Sequence, residues 1–174
     1  GMDLDNVDAA TKIAKELTFS QMMELSLHPD FRSDIGGKAA SVVSSYPTVR
    51  QALLDMQRNF AKKPVFADGT PAKGVIYDGR DTGTVVFPDA DLKFFIFADV
   101  ELRARRRYRE FIAKGMQTTY EKVLADMKER DERDKNRSSA PMKPAEDAVI
   151  IDGTPMEADG LMSIITPLVD AKLA

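Results

Sequence analysis

The stretch that most constrains this chain is Gly74 to Pro88, G-V-I-Y-D-G-R-D-T-G-T-V-V-F-P. Val75, Ile76 and Tyr77 make a short apolar, β-prone run of the kind buried in a parallel sheet. The run breaks at Asp78-Gly79, and Arg80, Asp81 and Thr82 follow. Charged groups just beyond the carboxyl end of a buried strand are where open α/β sheets hold their ligands. Asp-Gly is also an ordinary turn dipeptide. What argues for more is that Arg80 and Asp81 arrive with Gly83 and with a second arginine cluster downstream. Leu92 to Phe97 (L-K-F-F-I-F) and Ala148 to Ile151 (A-V-I-I) are two further apolar runs, separated by helical patterns. That alternation predicts an α/β fold with a parallel sheet flanked by helices. Three short strands are few for such a sheet, so strands are expected to be missing.

The helices follow from period and punctuation. Val7, Ala10, Ile13, Ala14 and Leu17 give one apolar face over Asp3 to Leu17, with Asp5 or Asn6 as the cap. Phe19 to Phe31 is ambiguous, and Pro29 ends any helix there. Ser33 to Lys38 is polar with two glycines and reads as a loop. Ala39 to about Phe60 is helical, with Pro47 marking a break or a new first turn. Lys62 to Lys73, with Pro64, Asp68-Gly69 and Pro71, reads as an exposed loop or short hairpin. Arg103 to Lys114 is a very basic helix stopped by Gly115. Thr118 and Glu121 form a capping-box pattern for the next helix, which buries Tyr120, Val123, Leu124 and Met127 at i, i+3, i+4 and i+7. Ser138 to Pro144 is a loop, and the tail from Glu157 is helical with a kink or early end at Pro167.

Composition closes off several classes. The 174 residues contain no cysteine, which excludes disulfides and thiolate metal sites. His28 is the only histidine, and no metal site is expected. With neither a transmembrane run nor a signal peptide, the chain reads as a cytoplasmic protein without a membrane partner. The net charge of -3 hides an asymmetry: Glu101 to Arg137 holds 12 Lys/Arg and 8 Asp/Glu, and the rest holds 13 and 20. A basic patch on an acidic protein suggests a local anion site and argues against a nucleic-acid surface over the whole molecule.

Two arginine clusters could hold that anion. In K-E-R-D-E-R-D-K-N-R, Lys128 to Arg137, a continuing helix puts Arg130, Asp134 and Arg137 on one face. Two guanidiniums flanking a carboxylate suit a phosphorylated sugar. A solvated helix with alternating-sign pairs is the plainer alternative. Arg103, Arg105, Arg106 and Arg107 suit a polyphosphate, and an RNA backbone would serve equally well. No G-x-x-x-x-G-K-[ST] phosphate-cradling loop occurs: the only Gly-Lys is Gly37-Lys38, and Arg32 stands where the motif needs glycine.

The motifs together resemble bacterial cytidylate (CMP) kinase. They are D-G-R-D-T-G-T-V-V-F-P-D-A at 78–90, A-R-R-R at 104–107, the 128–137 run and A-P-M-K-P-A-E-D-A at 140–148. A-A-S-V-V-S-S-Y-P-T-V-R at 39–50 resembles the family's nucleotide-binding insert. The resemblance runs from about Met2 to the C-terminus. It lacks the family's first strand, P-loop and first helix, so the expected fold is that of a P-loop nucleoside monophosphate kinase without its first strand. Within it, 1–32, 74–102 and 133–174 would be the core, 33–73 the CMP-binding insert and 103–132 the lid.

The resemblance implies phosphoryl transfer from ATP to CMP or dCMP, with Mg²⁺ accompanying ATP. Ser41, Arg50 and Asp81 match positions that read cytosine. A carboxylate accepting from the exocyclic amine would favour CMP over UMP. Arg80 and Arg137 match phosphate binders, and Arg130 and Asp134 match positions at the phosphate and the sugar. Arg106 and Arg107 match lid arginines that close over the ATP phosphates, which with Arg130 would make them the catalytic cations. Family members are monomers, and self-association here would cover the missing strand. The alternatives are a non-catalytic fragment that keeps the CMP site and an arginine-rich RNA-binding module.

Overall fold

The computed structural model describes residues 5–173 apart from 67 and 139. It divides into two compact units, the first ending at Asp78 and the second beginning at Gly79.

The first unit is helical. α1 (Val7–Glu16) starts at Asn6, whose side chain accepts from the amide of Ala9 at 2.9 Å. Positions 3 and 4, expected at its start, lie outside the described residues. The ambiguous stretch becomes α2 (Phe19–Ser26), opened by a Thr18/Gln21 capping box, and a 3₁₀ turn at Pro29–Arg32. The loop expected over 33–38 is instead the start of α3 (Asp34–Val43). Ser33 caps it by accepting from Gly36 N at 3.0 Å. A good cap contributes about 1 kcal/mol, roughly what one interior glycine costs, and so offsets about half the penalty of the glycine pair. α4 (Pro47–Lys62) has its proline in the first turn, where the missing N–H costs nothing. α1 packs on α4 through Ala10, Ala14 and Val49, with Val43, Tyr46 and Leu53 around them. Val65 and Pro71 form an antiparallel bridge, the short hairpin that prolines and Asp-Gly suggest.

Val75 to Tyr77 is not a strand. Ile76 is 94% exposed, and Tyr77 is held by its ring edge against Phe60 and by its hydroxyl, which donates to Gln57 O at 2.9 Å. Three apolar residues without a neighbouring strand have no ladder to join. Partial burial pushes the Tyr77 phenol pKa up.

In the second unit, β1 (Phe94–Phe97) and β2 (Val149–Asp152) pair in parallel, Phe94 opposite Val149 through Phe97 opposite Asp152. Among the described residues the sheet has these two strands. α5 (Val100–Ala113) and α6 (Tyr120–Lys135) form a hairpin around Ala104, Phe111 and Val123, flanked by Tyr108, Tyr120, Leu124 and Met127. Gly115 turns between them with φ of +72°, a left-handed conformation that suits glycine. The cap of α6 is Thr119, not Thr118: its hydroxyl accepts from Lys122 N at 3.2 Å. α7 (Ala158–Leu173) runs through Pro167 without ending. The helix buries no residue, so the Ser163 carbonyl that loses its donor faces solvent and water can take the bond.

Candidate functional site

The site is built on the turn after Asp78. Thr82–Val86 make one wide π-type turn, closed by Phe87 N donating to Thr82 O at 2.7 Å. The carbonyl of Asp81 gathers the amides of Thr84, Val85 and Val86 at 3.2, 2.9 and 3.3 Å. A side chain at Gly79 would come within 2.3 Å of Thr82 Oγ1, so a larger residue there would push the Thr82 hydroxyl out of its place. The turn buries Asp81 to 8% exposure and presents Arg80 beside it.

Arg80 meets the end of α6. Its Nε donates to Asp134 Oδ2 at 3.2 Å, and Arg130 Nε lies 3.9 Å from the same oxygen. Asp134 is 7% exposed, so one buried carboxylate serves two guanidiniums, one from its own helix and one from a turn 54 residues earlier in the sequence. The backbone carbonyl of Asp134 accepts from Met142 N at 2.9 Å and draws the following loop back. α6 stops at Lys135, so Arg137 does not continue its face; its Nη2 donates to Ala140 O at 2.9 Å. The Arg137 Nε is buried without a hydrogen-bond partner. Arg80 and Arg130 thus gather on one buried carboxylate, and a guanidinium held this way keeps further N–H donors for an anion such as a phosphate.

The arginines of α5 have different partners. Arg103 grips Asp131 with two bonds, Nη1 at 3.3 Å and Nη2 at 2.5 Å, and donates from Nε to Ala98 O at 2.9 Å. It ties the hairpin to the end of β1. Arg106 donates to Met156 O and lies 3.4 Å from Glu157, while its Nε is buried without a partner. Arg107 lies over the Phe111 ring at 4.4 Å and pairs with Glu110 at 3.0 Å. In the first unit, Ser41 lies on α3, and Arg50 on α4 donates to the Ser44 carbonyl at 3.2 Å. Asp134 therefore brings Arg80 and Arg130 onto one carboxylate, Arg106 and Arg107 lie on the hairpin, and Ser41 and Arg50 belong to the other unit.

Sequence reasoning passed over Lys93. Its Nζ donates to both carboxylate oxygens of Asp147, at 2.8 and 2.7 Å, and to the Pro88 carbonyl. The hydrogen bond from Lys93 holds the Asp147 carboxyl below the usual carboxylate range. A lone lysine inside the apolar run L-K-F-F-I-F is the signal that could have found it.

The family model for cytidylate kinase matches residues 2–171. Cytidylate kinase of Paramagnetospirillum magneticum is 43% identical over 172 residues, covering 99% of this chain and 77% of its own. Cytidylate kinase of Aeromonas hydrophila subsp. hydrophila is 43% identical over 142 residues, 82% of this chain and 58% of its own. Cytidylate kinase of Rhodopseudomonas palustris (strain TIE-1) is 40% identical over 174 residues, 100% of this chain and 76% of its own.

Proposed function

We infer, from the fact that this chain belongs to the cytidylate kinase family, that it carries the CMP side of phosphoryl transfer from ATP to CMP or dCMP. The observation that carries the reading is the buried carboxylate of Asp134 shared by Arg80 and Arg130, with Asp81, also buried, following Arg80 in the chain. Arg80 and Arg137 take the CMP phosphate, and Arg130 and Asp134 span phosphate and sugar. Asp81 accepts from the cytosine amine, with Ser41 and Arg50 completing recognition of the base. A uracil carbonyl at the same edge would face a carboxylate and be rejected.

In the reaction an oxygen of the CMP phosphate attacks the γ-phosphorus of ATP. The bond from that phosphorus to the bridging oxygen breaks, and ADP leaves as CDP forms. The chain's contribution is positioning and charge, which dominate this chemistry. Arg130 lowers the repulsion between the two phosphates. Arg106 and Arg107, carried on the 103–132 hairpin as a lid, offset charge on the transferred group. Among the described residues no group of three or more His, Asp and Glu side chains could hold a metal ion. Mg²⁺ would accompany the ATP substrate through its phosphates, as in phosphoryl transfer generally. No helix among the described residues is long and apolar enough to cross a membrane.

Calorimetric titration with CMP and UMP tests the base reading. CMP should bind about tenfold more tightly, the worth of one well-placed base-edge contact, and Asp81→Asn should bring the two close to parity. Equal binding by the unaltered protein, or an unchanged preference in the variant, would sink it. A second reading is favoured by the lack of a G-x-x-x-x-G-K-[ST] run in these 174 residues: a polypeptide of this sequence alone would bind CMP without turnover, because lid arginines cannot replace a phosphate cradle. ADP release with CMP and ATP, compared with the same chain joined to a P-loop segment, separates the two.

A further inference from the structure

We propose that Lys93 and Asp147 are positioning residues that hold the Arg80–Asp81 turn in its nucleotide-receiving shape. The inference deepens the CMP-site reading and rests on it.

Lys93 immediately precedes β1, Asp147 stands two residues before β2, and Pro88 ends the stretch that began at Gly79. One ammonium thus joins the starts of both strands to the end of the turn. Its three N–H groups meet three acceptors, two on Asp147 and one on Pro88. The Lys93 side chain is 7% exposed, a burial that lysine tolerates only when paired. Its stem also forms the floor of the turn: a Cβ on Gly83 would stand 3.3 Å from the Lys93 Cδ and 3.5 Å from its Cγ.

The strands do not need this ammonium to find each other. Val149 N already donates to the Lys93 carbonyl at 2.8 Å, the first rung of the ladder. What Lys93 adds beyond the ladder is the Pro88 carbonyl and the surface beneath Gly83, and both belong to the turn. That turn is closed by amides pointing at the carbonyl of Asp81. Releasing its far end lets those bonds open and lets Asp81 and Arg80 leave their places together.

The test uses Lys93→Met, which keeps the stem and removes the ammonium, and Asp147→Asn. Asp147 is 62% exposed, so the second variant folds even if the first does not. Amide exchange at Val85, Val86 and Phe87 should quicken about tenfold while that at Ile96 and Ile151 stays as it was. CMP affinity should fall about fivefold, but less than twofold when Arg80→Ala and Asp81→Asn are already present, because the pin acts through those two groups. Unchanged exchange in the turn, unchanged CMP affinity, or an equal loss in both backgrounds would each overturn the proposal. Failure of the underlying base reading shows separately, as a CMP preference that Asp81→Asn alone does not alter. In that event the exchange rates and CMP affinity of Lys93→Met still decide whether the pin acts on binding.

Discussion

Two sets of arginines in the second unit are held in opposite ways. Arg80 and Arg130 share a carboxylate that is itself nearly out of water, and that carboxylate is fixed by α6 and by the loop that returns to it. Arg106 and Arg107 pair with Glu157, which is 89% exposed, and with Glu110, which is also exposed. They are carried on a hairpin whose own cohesion is apolar, through Phe111, Val123 and their neighbours. A guanidinium on a buried partner is pre-organised, because leaving would strand a charge. A guanidinium on a solvated partner can exchange it for a phosphate at little cost. Residue type is the same in the two sets; the burial of the carboxylate partner separates them, with Arg106 held in addition by the Met156 carbonyl.

Phe111→Ala should break the hairpin side of this contrast, with the largest effect. Removing a nearly buried phenyl from the centre of the α5–α6 contact should cost about 3 kcal/mol. Because the term is apolar, urea unfolding should give the same loss at low and high salt. A loss that shrinks markedly with salt would mean that ion pairs, not packing, hold the hairpin.

Asp134→Ala should break the other side. It leaves Arg80 and Arg130 facing each other without their counter-charge. The expected cost is about 2 kcal/mol, below that of a fully buried pair because the Arg80 side chain is 39% exposed. Here added salt should recover part of the stability by screening two like charges. No recovery in denaturant titrations across a salt series would show that the carboxylate acts through packing alone.

Glu157→Gln sharpens the comparison with the smallest effect. An exposed partner of a half-buried arginine should be worth within about 0.5 kcal/mol. A thermal-shift series showing a loss several times larger would place Arg106 among the fixed cations and remove the distinction.

Much of this arrangement was legible in order along the chain. The parallel pair at 94–97 and 149–152, the helical hairpin with its glycine turn, the Pro47 start of α4 and the capping of α1 follow from local rules of period, cap and turn. The helix over Gly36 and Gly37 and the uninterrupted α7 do not, because a cap and a solvated face offset part of the cost of residues that usually break helices. Val75 to Tyr77 shows the limit from the other direction: an apolar triplet becomes a strand only if another strand lies beside it, and sequence carries no record of that neighbour. The site divides the same way. The charged residue types at Arg80, Asp81, Arg130, Asp134 and Arg137, and the motifs they stand in, could be read from the sequence. That one oxygen of Asp134 would serve two arginines, that Arg137 would leave the helix face, and that Lys93 would reach Asp147 and Pro88 were decided by folding alone. Spacing along a helix or strand is set by bonds between near neighbours, whereas contacts across 54 residues depend on which surfaces exclude water together.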